Sequence, residues 1–117
     1  MPINVTYAGP GLGTAMEANV RALAVELETV YDHIARCDVR VDALGDPQRS
    51  VPRYRVRVVI AVPGGEIVIS PDPDAEHDDP MAAVRDSFRA ACRRLEQYVW
   101  RNLRDDAAAP RWPARSG

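Results

Sequence analysis

Residues 53–70, RYRVRVVIAVPGGEIVIS, decide the fold. From Tyr54 to Val62 every second residue is apolar, and arginines fill the alternating positions as far as Arg57. Because successive side chains of a strand point to opposite faces, this pattern predicts a strand with one buried and one solvated face. The PGG that follows supplies glycine where a tight turn needs a positive φ, and EIVIS provides a second short strand. The stretch therefore predicts a β-hairpin.

Two further strands are predicted on the N-terminal side of this hairpin. Residues 36–42 read RCDVRVD, which puts Cys37, Val39 and Val41 on one face and charged residues on the other. Residues 3–8, INVTYA, alternate in the same way. The chain therefore supplies four strands for one sheet.

Two amphipathic helices are expected, one after the first strand and one after the hairpin. Apolar residues recur at steps of three and four from Thr14 to Ile34, which predicts about five turns with Thr14 as the N-cap. The same spacing predicts a second helix that begins near Pro80 and ends near Leu103. The predicted fold is α+β, in the order β-α-β-β-β-α, with a four-stranded sheet and both helices packed on one face.

The organisation of the chain is predicted to be one domain, residues 1–104, and a disordered tail, residues 105–117. The 117 residues, 46% of them hydrophobic, are enough for one ordinary core. The tail contains two prolines and has no periodicity. No apolar run approaches the roughly 18 residues of a membrane span, and the first residues lack the features of a signal peptide. We therefore expect a cytoplasmic protein without membrane contact.

The charge distribution matters more than the net charge of -2, which by itself argues against nucleic-acid binding. Of the 17 acids, five lie in residues 71–80, PDPDAEHDDP, where there is no arginine. All 15 basic residues are arginine, whose planar guanidinium suits phosphate. Locally basic surfaces are therefore compatible with an acidic total.

The second predicted helix carries a row of arginines opposite its apolar stripe. At about 100° per residue, the side chains in this half of the helix include Arg85, Arg89, Arg93, Arg94, Arg101 and Arg104. Such a row can contact successive phosphates. The alternative is an ordinary solvated helix face. Trp100 is interpreted as an edge of the core, with stacking on a base as the alternative.

The outward face of the sheet also carries charge, and two interpretations are open. The arginines of the hairpin, Arg53, Arg55 and Arg57, are candidates for contact with RNA. Alternatively, Asp38 and Asp42 pair with them across strands and stabilise the sheet without any ligand.

The sequence contains no recognisable motif for catalysis or metal binding. Cys37 and Cys92 do not form a metal-ligand spacing, and we expect buried free thiols. His33 is expected at a helix end, and His77 in a solvated acidic loop, with loose cation binding by that loop as the alternative. There is no phosphate-binding glycine loop and no nucleophile with a base. We therefore expect no enzymatic activity, cofactor, metal or small-molecule substrate.

Four segments occur together in the order and spacing of a known family. They are INVTYAG in the first strand, VYDHIARCDVRV at the junction of helix and strand, VIAVPGGEIVIS in the hairpin and MAAVRDSFRAACRRLEQYV in the last helix. On these segments, over about residues 2–104, the sequence resembles the ribosome hibernation promoting factor and ribosome-associated inhibitor family, also called protein Y, in its short form.

The resemblance implies a function for the chain. Members of the family bind the small ribosomal subunit between head and body, overlap the sites of mRNA and tRNA, and silence ribosomes under stress without catalysis. By resemblance, the partner is ribosomal RNA and the main contacts are Arg89, Arg93 and Arg94. Arg85 and Arg101 extend this row of contacts on the second helix. On the first helix, Arg21 is the remaining basic residue. The secondary contacts are Arg53, Arg55 and Arg57.

A second hypothesis is a diverged paralogue that acts as a protein-interaction module without ribosome binding. It would use the acidic first helix or the open face of the sheet to bind a protein, possibly itself. On either hypothesis we expect a monomer or a weak homodimer. Binding of a protein should survive high salt, whereas contact with RNA should not.

Overall fold

The computed structural model describes residues 1–8, 14–45, 53–70 and 79–108, apart from the side chains of residues 14, 15 and 103–108. The elements follow the predicted order, β-α-β-β-β-α, and form an α+β fold. They are the strands β1 (Ile3–Ala8), β2 (Arg36–Leu44), β3 (Arg53–Val62) and β4 (Gly65–Ile69) and the helices α1 (Thr14–Glu26) and α2 (Pro80–Ala108).

The four strands lie side by side in chain order. β1 is parallel to β2, whereas β2, β3 and β4 are antiparallel neighbours. The turn between β3 and β4 contains Pro63 and Gly64, and Gly64 has a φ of 92°. Proline followed by glycine with positive φ is typical of a type II turn. The predicted hairpin is therefore confirmed, and the glycine is required by its backbone conformation.

The core lies between one face of the sheet and the two helices. The inward side chains of β2 and β3 predicted from alternation are buried, and Val41 lies opposite Val56 in the register. Fully burying a side chain such as leucine or phenylalanine stabilises the fold by about 1.5–3 kcal/mol. The first helix contributes Val20 and Ala24, the 3₁₀ turn after it contributes Leu27, and the second helix contributes Val84, Phe88, Ala91 and Leu95. Neither of the two helices covers the other face of the sheet, where Arg40 and Arg57 are exposed; we call it the open face.

The first helix is shorter than the predicted five turns. It ends at Glu26 and continues only as a single 3₁₀ turn, Leu27–Thr29. The hydroxyl of Thr29 donates to the carbonyl of Glu26 over 2.7 Å, which closes the helix locally. Ile34 is nevertheless buried, because the chain after the turn still crosses the core. The apolar spacing therefore continued beyond the helix, and the prediction that the helix reached Ile34 was wrong.

The second helix is longer than predicted, because it ends at Ala108 and not near Leu103. Residues 105–108, assigned above to a disordered tail, belong to this helix. Residues 109–117 and the acidic segment 71–78 lie outside the described residues.

Candidate nucleic-acid interface

The outer side of α2 presents arginines to solvent because its opposite side is buried. Val84, Phe88 and Leu95 pack into the core, and the hydroxyl of Tyr98 donates to the carbonyl of Pro63 over 2.6 Å. This bond fixes the helix against the hairpin turn. The arginine face of α2, as we call it, consists of the exposed residues Arg85, Arg89, Arg93, Arg94 and Arg101. The side chain of Arg104, predicted for the same row, lies outside the described residues.

Most of the arginine face has no carboxylate partner among the described residues. Nη1 of Arg89 lies 3.0 Å from Oδ1 of Asp86, one turn earlier. Within the described part of the chain, the other four arginines form no ion pair. Arg85, Arg89 and Arg93 are spaced four residues apart, so neighbouring like charges destabilise the helix by about 0.2–0.5 kcal/mol per pair. The face therefore concentrates positive charge, and a bound polyanion would reduce the repulsion between its guanidinium groups.

Trp100 lies within the arginine face. The prediction that it forms an edge of the core was wrong. Its side chain is 66% exposed. At about 100° per residue, a position seven residues after Arg93 and eleven after Arg89 returns to the same side of the helix. The spacing of Trp100 from Arg89 and Arg93 therefore already indicated in the sequence that its side chain lies on the arginine face.

A groove of about 360 Å³ runs beside Trp100. The 3₁₀ turn and the residue after it contribute Thr29 and Val30, and α2 contributes Glu96 and Val99. The groove thus combines apolar walls, an aromatic ring and one carboxylate.

Arg21 lies on α1 and is engaged within the protein. Its Nε donates to a carboxylate oxygen of Glu17 over 3.2 Å, and its Nη1 donates to the carbonyl of Ile3 over 2.8 Å. The side chain therefore joins α1 to the edge strand β1. Contact of Arg21 with RNA stays a prediction.

The open face of the sheet pairs its charges along β2. Arg36 donates to Asp38 and to Glu66, each over 2.7 Å, and Arg40 donates to Asp42 over 3.0 Å. Residues two apart on a strand share a face, so each arginine reaches the acid that follows it. Hydrogen bonds from Arg36 and from Asn4 lower the pKa of Asp38. Asp38 and Asp42 thus pair within their own strand and not across strands with the arginines of β3, whereas Glu66 of β4 pairs with Arg36 across the sheet.

The three arginines predicted on β3 differ in their surroundings. Arg53 and Arg55 are half-buried and take part in interactions of their own. Arg57 is exposed, lies opposite Arg40 in the register, and forms no ion pair with the described residues. A role in RNA contact stays a prediction for all three.

The described ranges also contain histidines, cysteines and acids outside the arginine face. No group of three or more histidine, cysteine or acidic side chains there is arranged to hold a metal ion. Burial raises the pKa of the Cys37 thiol to about 11, so it is a protonated thiol at neutral pH. His33 is exposed beside Asp32, and His77 lies outside the described residues. None of the helices in these ranges combines the length and the apolar character required to cross a membrane.

Comparison with known proteins gives the fold. No family model matches the chain, and no curated protein matches it in sequence. A solved ribosomal subunit interface protein from Coxiella burnetii superposes with a TM-score of 0.67 at 18% identity, over 84% of this chain and 97% of that one. The N-terminal domain of Thermus thermophilus Protein Y gives 0.67 at 16% identity, over 84% and 99%. The fold expected from the resemblance is therefore confirmed.

Proposed function

We propose that this chain binds ribosomal RNA of the small ribosomal subunit through the arginine face of α2. In this role it occupies the channel used by mRNA and tRNA and inhibits translation as a hibernation factor in the cytoplasm. The observation that carries the proposal is the set of exposed guanidinium groups without a carboxylate partner among the described residues: Arg85, Arg93, Arg94 and Arg101. The fold shared with two ribosome-named proteins supports it.

The spacing of the arginines suits a phosphate backbone. Arg85, Arg89 and Arg93 follow one another at about 6 Å along the helix axis, since each residue rises about 1.5 Å. Each phosphate that they neutralise releases condensed counterions, which favours binding at low salt. The same contact removes the repulsion between neighbouring guanidinium groups. On an ordinary solvated helix face, polar residues of any kind or charges of both signs would serve equally well.

The acidic total does not by itself oppose this role, because two of the acids on the open face of the sheet are matched locally. On the open face of the sheet, Asp38 and Asp42 are neutralised by the arginines of their own strand. On α2, the stretch from Pro80 to Arg101 contains five arginines and only two acids, Asp86 and Glu96. An approaching RNA therefore meets net positive charge at α2.

The direct test is cosedimentation of the purified chain with purified small ribosomal subunits over a series of salt concentrations. With four phosphate contacts, the affinity should fall about 50- to 150-fold between roughly 50 and 200 mM salt. Addition of a long mRNA fragment with tRNA should displace the chain, because the proposed sites overlap.

Three outcomes separate the hypotheses. Salt-sensitive cosedimentation that mRNA and tRNA displace supports the proposal. A chain that stays at the top of the gradient even at low salt refutes it. Capture of a protein partner that survives high salt, without binding to the subunit, would support the alternative of a protein-interaction module.

A further inference from the structure

We infer that Trp100 and the groove beside it bind one unpaired base of single-stranded RNA, and that Glu96 makes guanine the preferred base. The inference rests on the proposed function, since it assumes that RNA lies along the arginine face of α2. It adds a site for a base to a surface that otherwise recognises only phosphates.

The indole of Trp100 is placed for contact with a ligand and not for stability. It is 66% exposed, although tryptophan gains most from burial because its side chain buries about 150–250 Å². An exposed aromatic ring amid basic residues is the usual platform for bases in single-stranded RNA binding. Stacking is tolerant of base identity because each base has an aromatic face.

The groove supplies the space that a stacked base needs. Its volume of about 360 Å³ falls within the range of small-ligand sites, roughly 300–1,000 Å³. Val30 and Val99 form apolar walls. The hydroxyl of Thr29 already donates its hydrogen to the carbonyl of Glu26, so towards a ligand it can only accept. The site therefore fits a flat, mostly apolar group that offers hydrogen-bond donors.

The surrounding charge favours RNA over a protein as the occupant. Arg101 is the next residue in the chain, and Arg93 lies about 10 Å away along the helix axis, at about 1.5 Å per residue. A nucleotide presents a flat ring and a phosphate together, so it can use the indole and a guanidinium at once. An apolar protein segment on Trp100 would leave these arginines unmatched at its rim.

Glu96 adds selectivity because a carboxylate only accepts hydrogen bonds. It lies one turn before Trp100, lines the groove, and has no ion pair with any described residue. Guanine presents two adjacent donors on its Watson–Crick edge, the ring N1–H and the exocyclic amine, which match the two oxygens. Uracil presents a single N–H between two carbonyl oxygens, which the carboxylate repels. Adenine and cytosine, with one amino group each, should rank between them.

The test uses the full chain with Trp112→Phe, so that Trp100 is its single indole. Its fluorescence is titrated at low salt with RNA hexamers of five uridines and one central base, which is guanine, adenine, cytosine or uracil. We expect quenching that saturates, with guanine binding about tenfold more tightly than uracil. Glu96→Gln should reduce this ratio to below about twofold.

Substitution of the ring provides the second measurement. Trp100→Ala should weaken binding of the guanine hexamer at least about fivefold, as expected for loss of base stacking, and Trp100→Phe should restore part of it. Val25→Ala, which shortens another exposed apolar side chain, is the matched control and should change nothing. Binding of these variants is followed by fluorescence anisotropy of labelled RNA, with circular dichroism to verify folding.

The outcomes distinguish this inference from the proposed function. If Trp100→Ala binds hexamers and small subunits as well as the parent, the base site is refuted while ribosome binding stands. Absence of guanine preference refutes the role of Glu96. Quenching that grows with protein concentration without RNA would make a second copy of the chain the occupant and overturn the inference. Failure of every form to bind any RNA refutes the proposed function itself.

Discussion

The arginine face of α2 and the open face of the sheet are both rich in arginine, but on the arginine face four of five guanidinium groups lack a carboxylate partner among the described residues. On the sheet, Arg36 and Arg40 each lie 3.0 Å or less from a carboxylate. On the helix, Arg89 alone has such a partner among the described residues. The number of arginines is therefore a poor guide to a nucleic-acid surface, and the positions of the acids are a better one.

The difference arises from the periods of the two elements. In RCDVRVD an acid follows each arginine by two residues, which on a strand puts both on one face. On a helix the partner must lie three or four residues away. Asp86 meets this condition for Arg89, whereas Arg94 has Gln97 and Tyr98 at those positions. Glu96 has the required spacing from Arg93 but forms no ion pair with it. The same residue types thus neutralise one surface and leave the other charged.

The largest effect should come from neutralising two arginines of the helix. Arg93→Gln with Arg94→Gln should reduce affinity for small ribosomal subunits on the order of 100-fold, because two charge-assisted contacts are worth about 1.5–3 kcal/mol each. The measurement is a filter-binding titration at constant salt. Arg36→Gln with Arg40→Gln removes the same charge from the sheet and should cost less than about threefold. Equal losses would mean that only net charge matters.

A second experiment should make the sheet resemble the helix. Asp38→Asn with Asp42→Asn leaves Arg40 without its partner and Arg36 with Glu66 alone, so affinity for unstructured RNA should rise about tenfold at low salt. The slope of log affinity against log salt should steepen by about 0.7, the value for one added phosphate contact on single-stranded RNA. Glu26→Gln with Asp32→Asn makes the same charge change on the other side of the molecule. A similar gain from that control would contradict the importance of local pairing.

A smaller effect should distinguish arginines within α2. Arg85→Gln should weaken binding of small subunits at least about tenfold, whereas Arg89→Gln should weaken it about threefold, because Arg89 must first leave Asp86. Asp86→Asn should then increase the contribution of Arg89. The three variants are compared by cosedimentation at one salt concentration. An equal loss for Arg85 and Arg89 would show that the ion pair has no influence.

The smallest effect concerns the pH dependence of stability. Because Arg36 and Asn4 lower the pKa of Asp38, its carboxylate stabilises the fold above its unfolded pKa of about 3.9, and this contribution disappears as the pH falls through the folded value. The side chain is 36% exposed, so solvent screening limits the contribution to well under about 1 kcal/mol. Urea unfolding at pH 6 and pH 3 should show it in the wild type and not in Asp38→Asn. If the free energy of unfolding falls equally in both proteins between pH 6 and pH 3, the pH dependence comes from other groups and not from Asp38.

The strands were predictable because their evidence is local. Alternation fixed which side of β2 and β3 is buried, and the glycine at position 64 marked the turn. The extent of α1 was not predictable in the same way, since Ile34 keeps helical spacing although the helix has ended. An apolar residue at helical spacing shows that the position contacts the core. A residue in a loop can make that contact as well as a residue in a helix can.

The candidate site was only partly predictable. The helical period placed Arg85, Arg89, Arg93, Arg94 and Arg101 on one exposed face, as the structure has them. The same period contained the position of Trp100, but its apolar character led to an assignment to the core. The groove depends on the chain after α1 crossing beside α2, and no local pattern indicates that crossing.

The parallel pairing of β1 with β2 has a consequence for how the molecule assembles. Strands β2 to β4 form a meander of antiparallel neighbours, whereas Ile3 pairs with Cys37 only after α1 has crossed between the two strands. Closing that longer loop costs more chain entropy before any contact rewards it. We therefore expect the meander of β2, β3 and β4 to form first and β1 to pair with β2 last. Detachment of β1 would leave the arginine face of α2 in place, since α2 packs mainly against β3 and β4.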